Sequence, residues 1–189
     1  MITENDDVLG LVERVKNGNQ EAFMDLTRLY QKKVFIVAYS FFRNRDDALD
    51  IVQETFLRCY QKIHLFKAGK SFRNWLLQIT KNLCVDHYRK NHRKNHVFLK
   101  DINIEDMAIS QLEGSSFSES AEVRELFARS LETLTERQRM VFVLKHYNGL
   151  HYKEISEVMR VALGTVKSLH FKAVQNLRSC LSPHFGEIE

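Results

Sequence analysis

Proline occurs once in this chain, at Pro183, and glycine only seven times in 189 residues. So few turn formers leave no means of closing the many short strands of a sandwich or barrel. Long stretches of Leu, Lys, Glu, Gln and Arg instead favour helix. The fold class expected is therefore all-α. In the run "DDALDIVQETFLRCYQKI", Leu49, Val52, Phe56, Cys59 and Ile63 recur at steps of three or four, the spacing of one buried stripe on a helix. Asp46 or Asp47 is expected to cap its start, where unpaired N–H groups and the helix dipole favour a carboxylate. The outward face then carries Asp50, Gln53, Glu54 and Arg58. "EAFMDLTRLYQKKVFIVAYSFF" before it and "SFRNWLLQITKNLCVDHYRK" after it have similar spacing, so three or four helices can share a core anchored by Trp75.

Charge divides the chain. The formal net charge is only +4, but Lys81, Arg89, Lys90, Arg93 and Lys94 crowd a stretch whose single acid is Asp86. From Asp101 to Glu125 there are seven acids and one base around "GSSFSES", with weak apolar periodicity. This composition predicts a flexible linker over 97–125 between two small helical domains, 8–96 and 126–183. With 44% hydrophobic residues, each domain has material for a core.

Several functions are disfavoured. No apolar run approaches the roughly 18 residues needed to cross a bilayer, and the acidic start "MITENDD" lacks the basic region of a signal peptide. A cytosolic protein is expected. Cys59, Cys84 and Cys180 are odd in number and never spaced as CxxC, which predicts buried thiols rather than disulfides or a structural zinc site. Cys84, His87, His92 and His96 are all potential ligands, yet on a continuous helix His87 and His92 project about 140° apart, too far to gather one tetrahedral ion. Asp46, Asp50 and Glu54 follow at steps of four, but no second cluster of carboxylates or histidines accompanies them. The expectation is a protein without metal, cofactor or small-molecule substrate, and not an enzyme.

The second domain is more specific. In "TERQRMVFVLKHYN", Thr135 lies three residues before Gln138, the spacing of a capping box, and Met140, Val141 and Leu144 follow on the apolar side. "HYKEISEVM" places Tyr152, Ile155, Val158 and Met159 inward. After the break at "RVALG", Val166, Ala173 and Leu177 point inward and Lys167, Ser168, Phe171 and Lys172 outward. Two short helices, a tight turn and a basic exposed face predict a helix-turn-helix whose second helix enters a DNA major groove. Folding gives no reason for an exposed Phe171 between lysines, whereas in a groove its ring can meet a thymine methyl while lysines meet phosphates.

Taken together, "DALDIVQETFLRCYQKI", "SFRNWLLQITKNLCVDHYRK" and "LTERQRMVFVLKHYNGLHYKEISEVM…GTVKS", in this order and spacing, resemble the extracytoplasmic-function sigma factors, the small two-domain branch of the bacterial sigma-70 family. The resemblance implies partners and sites. Asp50, Gln53, Glu54, Phe56 and Arg58 would bind core RNA polymerase at the clamp helices of its beta prime subunit, and the second domain would meet the beta flap. Phe66, Ser71, Phe72, Trp75 and Asn82 would surround a flipped base of the downstream promoter element, with Arg89, Lys90, Arg93 and Lys94 holding phosphates nearby. Thr165, Lys167, Ser168, Phe171 and Lys172 would read the upstream element. A cognate anti-sigma factor is also implied. The chain departs from the family at Arg160 and Ala162, where the turn usually has glycine and a serine cap, and at Leu169 and His170 in the recognition helix. A response regulator with a C-terminal helix-turn-helix is the alternative, but it would need buried parallel strands that 8–96 does not contain.

Overall fold

The computed structural model describes residues 4–92 and 121–185, and every regular element in them is helical. The first domain comprises α1 (Glu4–Lys16), α2 (Gln20–Phe42), α3 (Arg45–Lys62), a single 3-10 turn at Ile63–Leu65, and α4 (Phe72–His92). The second comprises α5 (Ala121–Glu132), α6 (Glu136–His146), α7 (Tyr152–Met159) and α8 (Leu163–Phe185). The expected linker thus ends early, since Ala121–Glu125 already form the start of α5.

Local chemistry sets the helix starts. Asn19 Oδ1 accepts the Ala22 N–H at 2.8 Å to open α2. Asn44 Oδ1 accepts the Asp47 N–H at 3.0 Å to open α3, so the cap is Asn44 and not either aspartate expected for the role. Asp46 and Asp47 lie in the first turn, where the dipole still favours them. At α6 the expected capping box is present: Thr135 Oγ1 accepts the Gln138 N–H at 3.4 Å, and Gln138 Oε1 accepts the Thr135 N–H at 3.0 Å.

The core of the first domain joins Val12, Leu26, Tyr30, Val34, Phe56, Cys59, Ile63, Phe66, Phe72 and Leu76. The buried stripe of α3 follows the expected one at Phe56, Cys59 and Ile63, with Val52 packed beside it, and departs from it at Leu49. Ala48, Ile51, Thr55, Phe56 and Cys59 face inward, whereas Leu49 is 38% exposed. Ala48 shares its apolar cluster with Ala38 of α2, and small side chains there let the helix backbones approach. Cys59 and Cys84 are fully buried, as expected, and burial pushes both thiols up to about 12.

The two domains pack against each other, an arrangement that the sequence reading did not anticipate. Val37 of α2 and Leu77 of α4 are buried in one cluster with Met140, Val141, Leu144, Leu150, Ile155, Val158 and Val166 of the second domain. Beside them the buried Arg139 gives its Nε–H to the Leu131 carbonyl at 2.9 Å and Nη2 to that of Leu134 at 2.9 Å. Its Nη1 crosses to the Ser40 carbonyl at 3.1 Å. An ion pair between Arg43 and Glu132 joins the domains at the same end.

Candidate nucleic-acid and polymerase interfaces

In the helix-turn-helix, α7 and α8 are joined through Arg160, which adopts a left-handed conformation at φ 56°. Glycine would adopt it without steric cost. The departure is compensated locally by Ser156: its hydroxyl donates to the Val161 carbonyl at 2.6 Å, and its own carbonyl accepts the Val161 N–H at 3.2 Å. The turn is fixed although it lacks the usual glycine.

Helix α8 has the phase read from the sequence. Val166 and Ala173 are fully buried and Leu177 nearly so, while Thr165, Lys167, Ser168, Phe171 and Lys172 are exposed. Phe171, at 62% exposure, stands out on this solvated face. Leu169 packs at the edge of the core, and His170 is half-buried. His170 Nε2 lies 2.9 Å from His146 Nε2, and its Nδ1 lies 3.1 Å from the Tyr152 hydroxyl. The two unusual residues therefore secure α8 against α6 and α7 and leave the exposed face in register.

On α3, Asp50 and Gln53 are exposed, and Glu54 Oε1 accepts the Arg58 Nε–H at 2.8 Å with both side chains partly exposed. Phe56, assigned to this face, is instead a core residue, with its ring edge-on to Phe23 at 6.4 Å. The face has apolar members that the spacing argument missed: Leu49, Leu57 and Tyr60 are exposed and align with Gln53 at steps of three and four. Leu57 and Tyr60 each follow a stripe residue by one position, Phe56 and Cys59, whereas Leu49 was read into the buried stripe itself.

The segment before α4 also differs from expectation. Phe66 and Phe72 are buried, their centroids 5.7 Å apart, and Phe66 lies 5.5 Å from Trp75. Phe72 further meets Tyr30 at 5.5 Å. These rings hold the loop's ends to the core and do not face solvent; mutual aromatic packing claims the surface that a base would need. Between them Lys67, Ala68, Gly69 and Lys70 are exposed, with Gly69 at φ 84°. Ser71 Oγ accepts the Asn74 N–H at 3.3 Å and so helps to start α4. Trp75 and Asn82 are half-buried. Arg89 and Lys90 lie on α4, whereas Arg93 and Lys94 fall outside the described residues, as does His96.

Among the described residues no three His, Cys, Asp or Glu side chains are placed to hold a metal ion, and no helix is long and apolar enough to cross a membrane. A helical N-terminal domain with a mixed acidic and apolar outer face, joined to a helix-turn-helix with an exposed basic and aromatic face, defines a two-domain DNA-binding protein.

Sequence comparison makes this specific. Residues 26–94 match sigma-70 region 2 and residues 124–177 match sigma-70 region 4. The chain is 30% identical over 176 residues to the ECF RNA polymerase sigma factor SigW of Bacillus subtilis, covering 90% of this chain and 94% of the relative. It is 33% identical over 181 residues to the ECF RNA polymerase sigma-E factor of Escherichia coli K12, covering 92% and 93% respectively. The fold is similar to that of the sigma factor RpoE crystallised with the anti-sigma factor NepR from Bartonella quintana, with a TM-score of 0.70, 23% identity, and coverage of 86% of this chain and 98% of that one. It also resembles CnrH in complex with the cytosolic domain of CnrY, with a TM-score of 0.68, 24% identity, and coverage of 92% and 96%. The chain belongs to the extracytoplasmic-function group of sigma-70 RNA polymerase sigma factors, and its function is in transcription initiation.

Proposed function

We propose that this sigma factor binds core RNA polymerase through the outer face of α3, reads an upstream promoter element with α8, and helps to open the downstream element with α4. The observation that carries the reading is the exposed side of α8, where Phe171 stands among Thr165, Lys167, Ser168 and Lys172 on a helix whose opposite side is core. Lysines there supply sequence-independent attraction to phosphates, and Phe171 and Ser168 supply contacts to base edges. On α3, Asp50, Gln53, Glu54 and Arg58 provide polar partners for a helical coiled coil, and Leu49, Leu57 and Tyr60 add apolar area. Charges at such a contact set register and encounter more than affinity.

On α4 Asn82 and Trp75 are half-buried, and in the sequence the basic residues Arg89, Lys90, Arg93 and Lys94 follow them. Phe66 and Phe72 support the loop from below instead of touching the base. The protein performs no covalent chemistry in this reading: binding energy and geometry are its contribution, the polymerase carries the catalytic site, and the cytosol is where both act. Two solved proteins of similar fold were captured with the anti-sigma factor NepR and with CnrY, which supports an anti-sigma partner here. Pull-down of core polymerase by the full chain, followed by transcription in vitro from a pool of random promoters, tests the reading. Retention of core enzyme and selection of a common two-part promoter are expected; no retained polymerase would exclude it.

A further inference from the structure

Two imidazoles meet where the recognition helix crosses the end of α6. His146, exposed on α6, and His170, half-buried on α8, bring their Nε2 atoms within 2.9 Å. Phe142 packs against the pair, its ring centroid 4.4 Å from that of His146 and 6.4 Å from that of His170. The Tyr152 hydroxyl of α7 stands 3.1 Å from His170 Nδ1. The tautomer of His170 that carries its proton on Nδ1 donates it to this hydroxyl and leaves Nε2 bare. Metal-binding histidines characteristically have such a partner on their other nitrogen, which fixes the ring and raises its basicity.

The spacing suits a metal ion. Two bonds of about 2.0–2.1 Å at a right angle, as in a square-planar ion, place their nitrogens about 2.9 Å apart, and at the tetrahedral angle about 3.3 Å apart. Copper(II) therefore needs no change in separation, and zinc needs an opening of about 0.4 Å. The ring centroids are 5.1 Å apart, so the two Nε2 atoms point almost at each other and the rings must also turn toward a common point. Exposed His146 can make most of that turn, its Nε2 proton passing to Nδ1 through solvent. Burial, with Lys145 adding to it, holds both histidines below their ordinary range, so each is neutral and able to act as a ligand at neutral pH. Lys145 is also the opposing feature: its ammonium, 5.2 Å from the Tyr152 ring, repels a second cation.

We propose that His146 and His170 form a binding site for a divalent transition-metal ion, zinc or copper(II), with water completing the coordination and the ion tying α8 to the end of α6. Two protein ligands make this an exchangeable site and not a structural one, in keeping with the lack of a third His, Cys, Asp or Glu ligand among the described residues. The ion binds the folded domain, where the two rings are held together, so it stabilises that domain and braces the helix at the residue next to Phe171. The site stands on the geometry of the pair and does not depend on the promoter reading proposed for α8.

The test is calorimetric titration of zinc chloride into the full-length chain in a Cys180→Ser background. A site for one ion per chain should appear, and the melting temperature should rise with zinc concentration. Copper(II) should bind more tightly than zinc, and magnesium should not bind. His146→Gln and His170→Gln should each weaken zinc binding by about tenfold or more, and Tyr152→Phe, which takes away the partner of Nδ1, should act in the same direction. Lys145→Gln should tighten it by about threefold. His64→Gln, exposed on the first domain, should change nothing. Because His146 is exposed, its variant keeps the fold, and an effect there reports a lost ligand. No zinc binding by the parent chain, or equal binding by parent and His146→Gln, overturns the site.

Discussion

His146 at the end of α6 and His170 on the recognition helix meet head to head, with Nε2 atoms 2.9 Å apart and rings within 20° of parallel. One Nε2 must donate and the other accept, so a proton on both breaks the contact. Burial chiefly, then the neighbouring His170 and Lys145, pulls the pKa of His146 below its usual value. Burial and Lys145 do the same to His170. Tyr152, whose ring lies under Lys145 Nζ at 5.2 Å, completes the cluster on the side of α7.

Stability should therefore depend on pH in one direction. For a histidine whose folded pKa is depressed, the stabilisation is full above the unfolded value of 6.5 and is lost as pH falls through the folded value. Both rings retain contact with water, so screening keeps the effect modest. Thermal melts should show a lower Tm at about pH 5.5 than at about pH 7.5, and His170→Gln should flatten the difference. Equal pH dependence in variant and parent would show that the pair does not control it.

Arg139 is the most consequential buried charge, because its guanidinium satisfies carbonyls of Leu131, Leu134 and Ser40. Arg139→Met should cost about 3 kcal/mol in urea denaturation, since it leaves buried acceptors unpaired. Arg139→Lys should recover little, because an ammonium cannot reach three acceptors arranged for a planar fork.

For α3, Asp50→Lys combined with Leu57→Ala should reduce affinity for core polymerase by about tenfold or more. Both side chains are exposed, so the melting temperature should barely move. Affinity unchanged beside an intact fold would remove this face from the docking surface.

On α8, reading and gripping should separate. Lys172→Ala should weaken binding to most sequences and reduce the salt slope by about one phosphate contact. Phe171→Ala should lose about 1–3 kcal/mol of discrimination at one or two base pairs, read from affinities for single-base variants of the selected site. Neither exposed side chain should matter much for stability.

The strained turn offers a change of opposite sign. Arg160→Gly relieves a left-handed residue and should stabilise the second domain by about 0.5 kcal/mol after the greater entropy of an unfolded glycine is counted. Ser156→Ala should destabilise by about 1 kcal/mol, because the Val161 carbonyl loses its donor.

These residues also mark how far the sequence can be read. The α6 capping box and the phase of α8 were legible because Thr135 with Gln138, and Val166 with Ala173 and Leu177, are set by local periodicity. On α3 the same periodicity found Phe56, Cys59 and Ile63 but took Leu49 for the first member of the stripe. Leu49 is more apolar than Ala48, but close helix packing beside Ala38 selects the smaller side chain, which depends on α2 and not on α3 alone. Phe66 and Phe72 followed the family's loop by position, while their burial is decided by contacts with Tyr30 and Trp75. The domain seam was least accessible, because Val37 and Leu77 look like ordinary core residues until the other domain is placed against them.

The burial of Cys59 and Cys84 has a physiological corollary. Burial pushes both thiols well above the ordinary cysteine range, so neither is ionised to any useful extent at neutral pH, and only the thiolate attacks peroxides or disulfides at useful rates. Peroxide stress should leave these two residues reduced for as long as the fold persists. A change in promoter choice under oxidising conditions would have to enter by a route other than these two sulfurs.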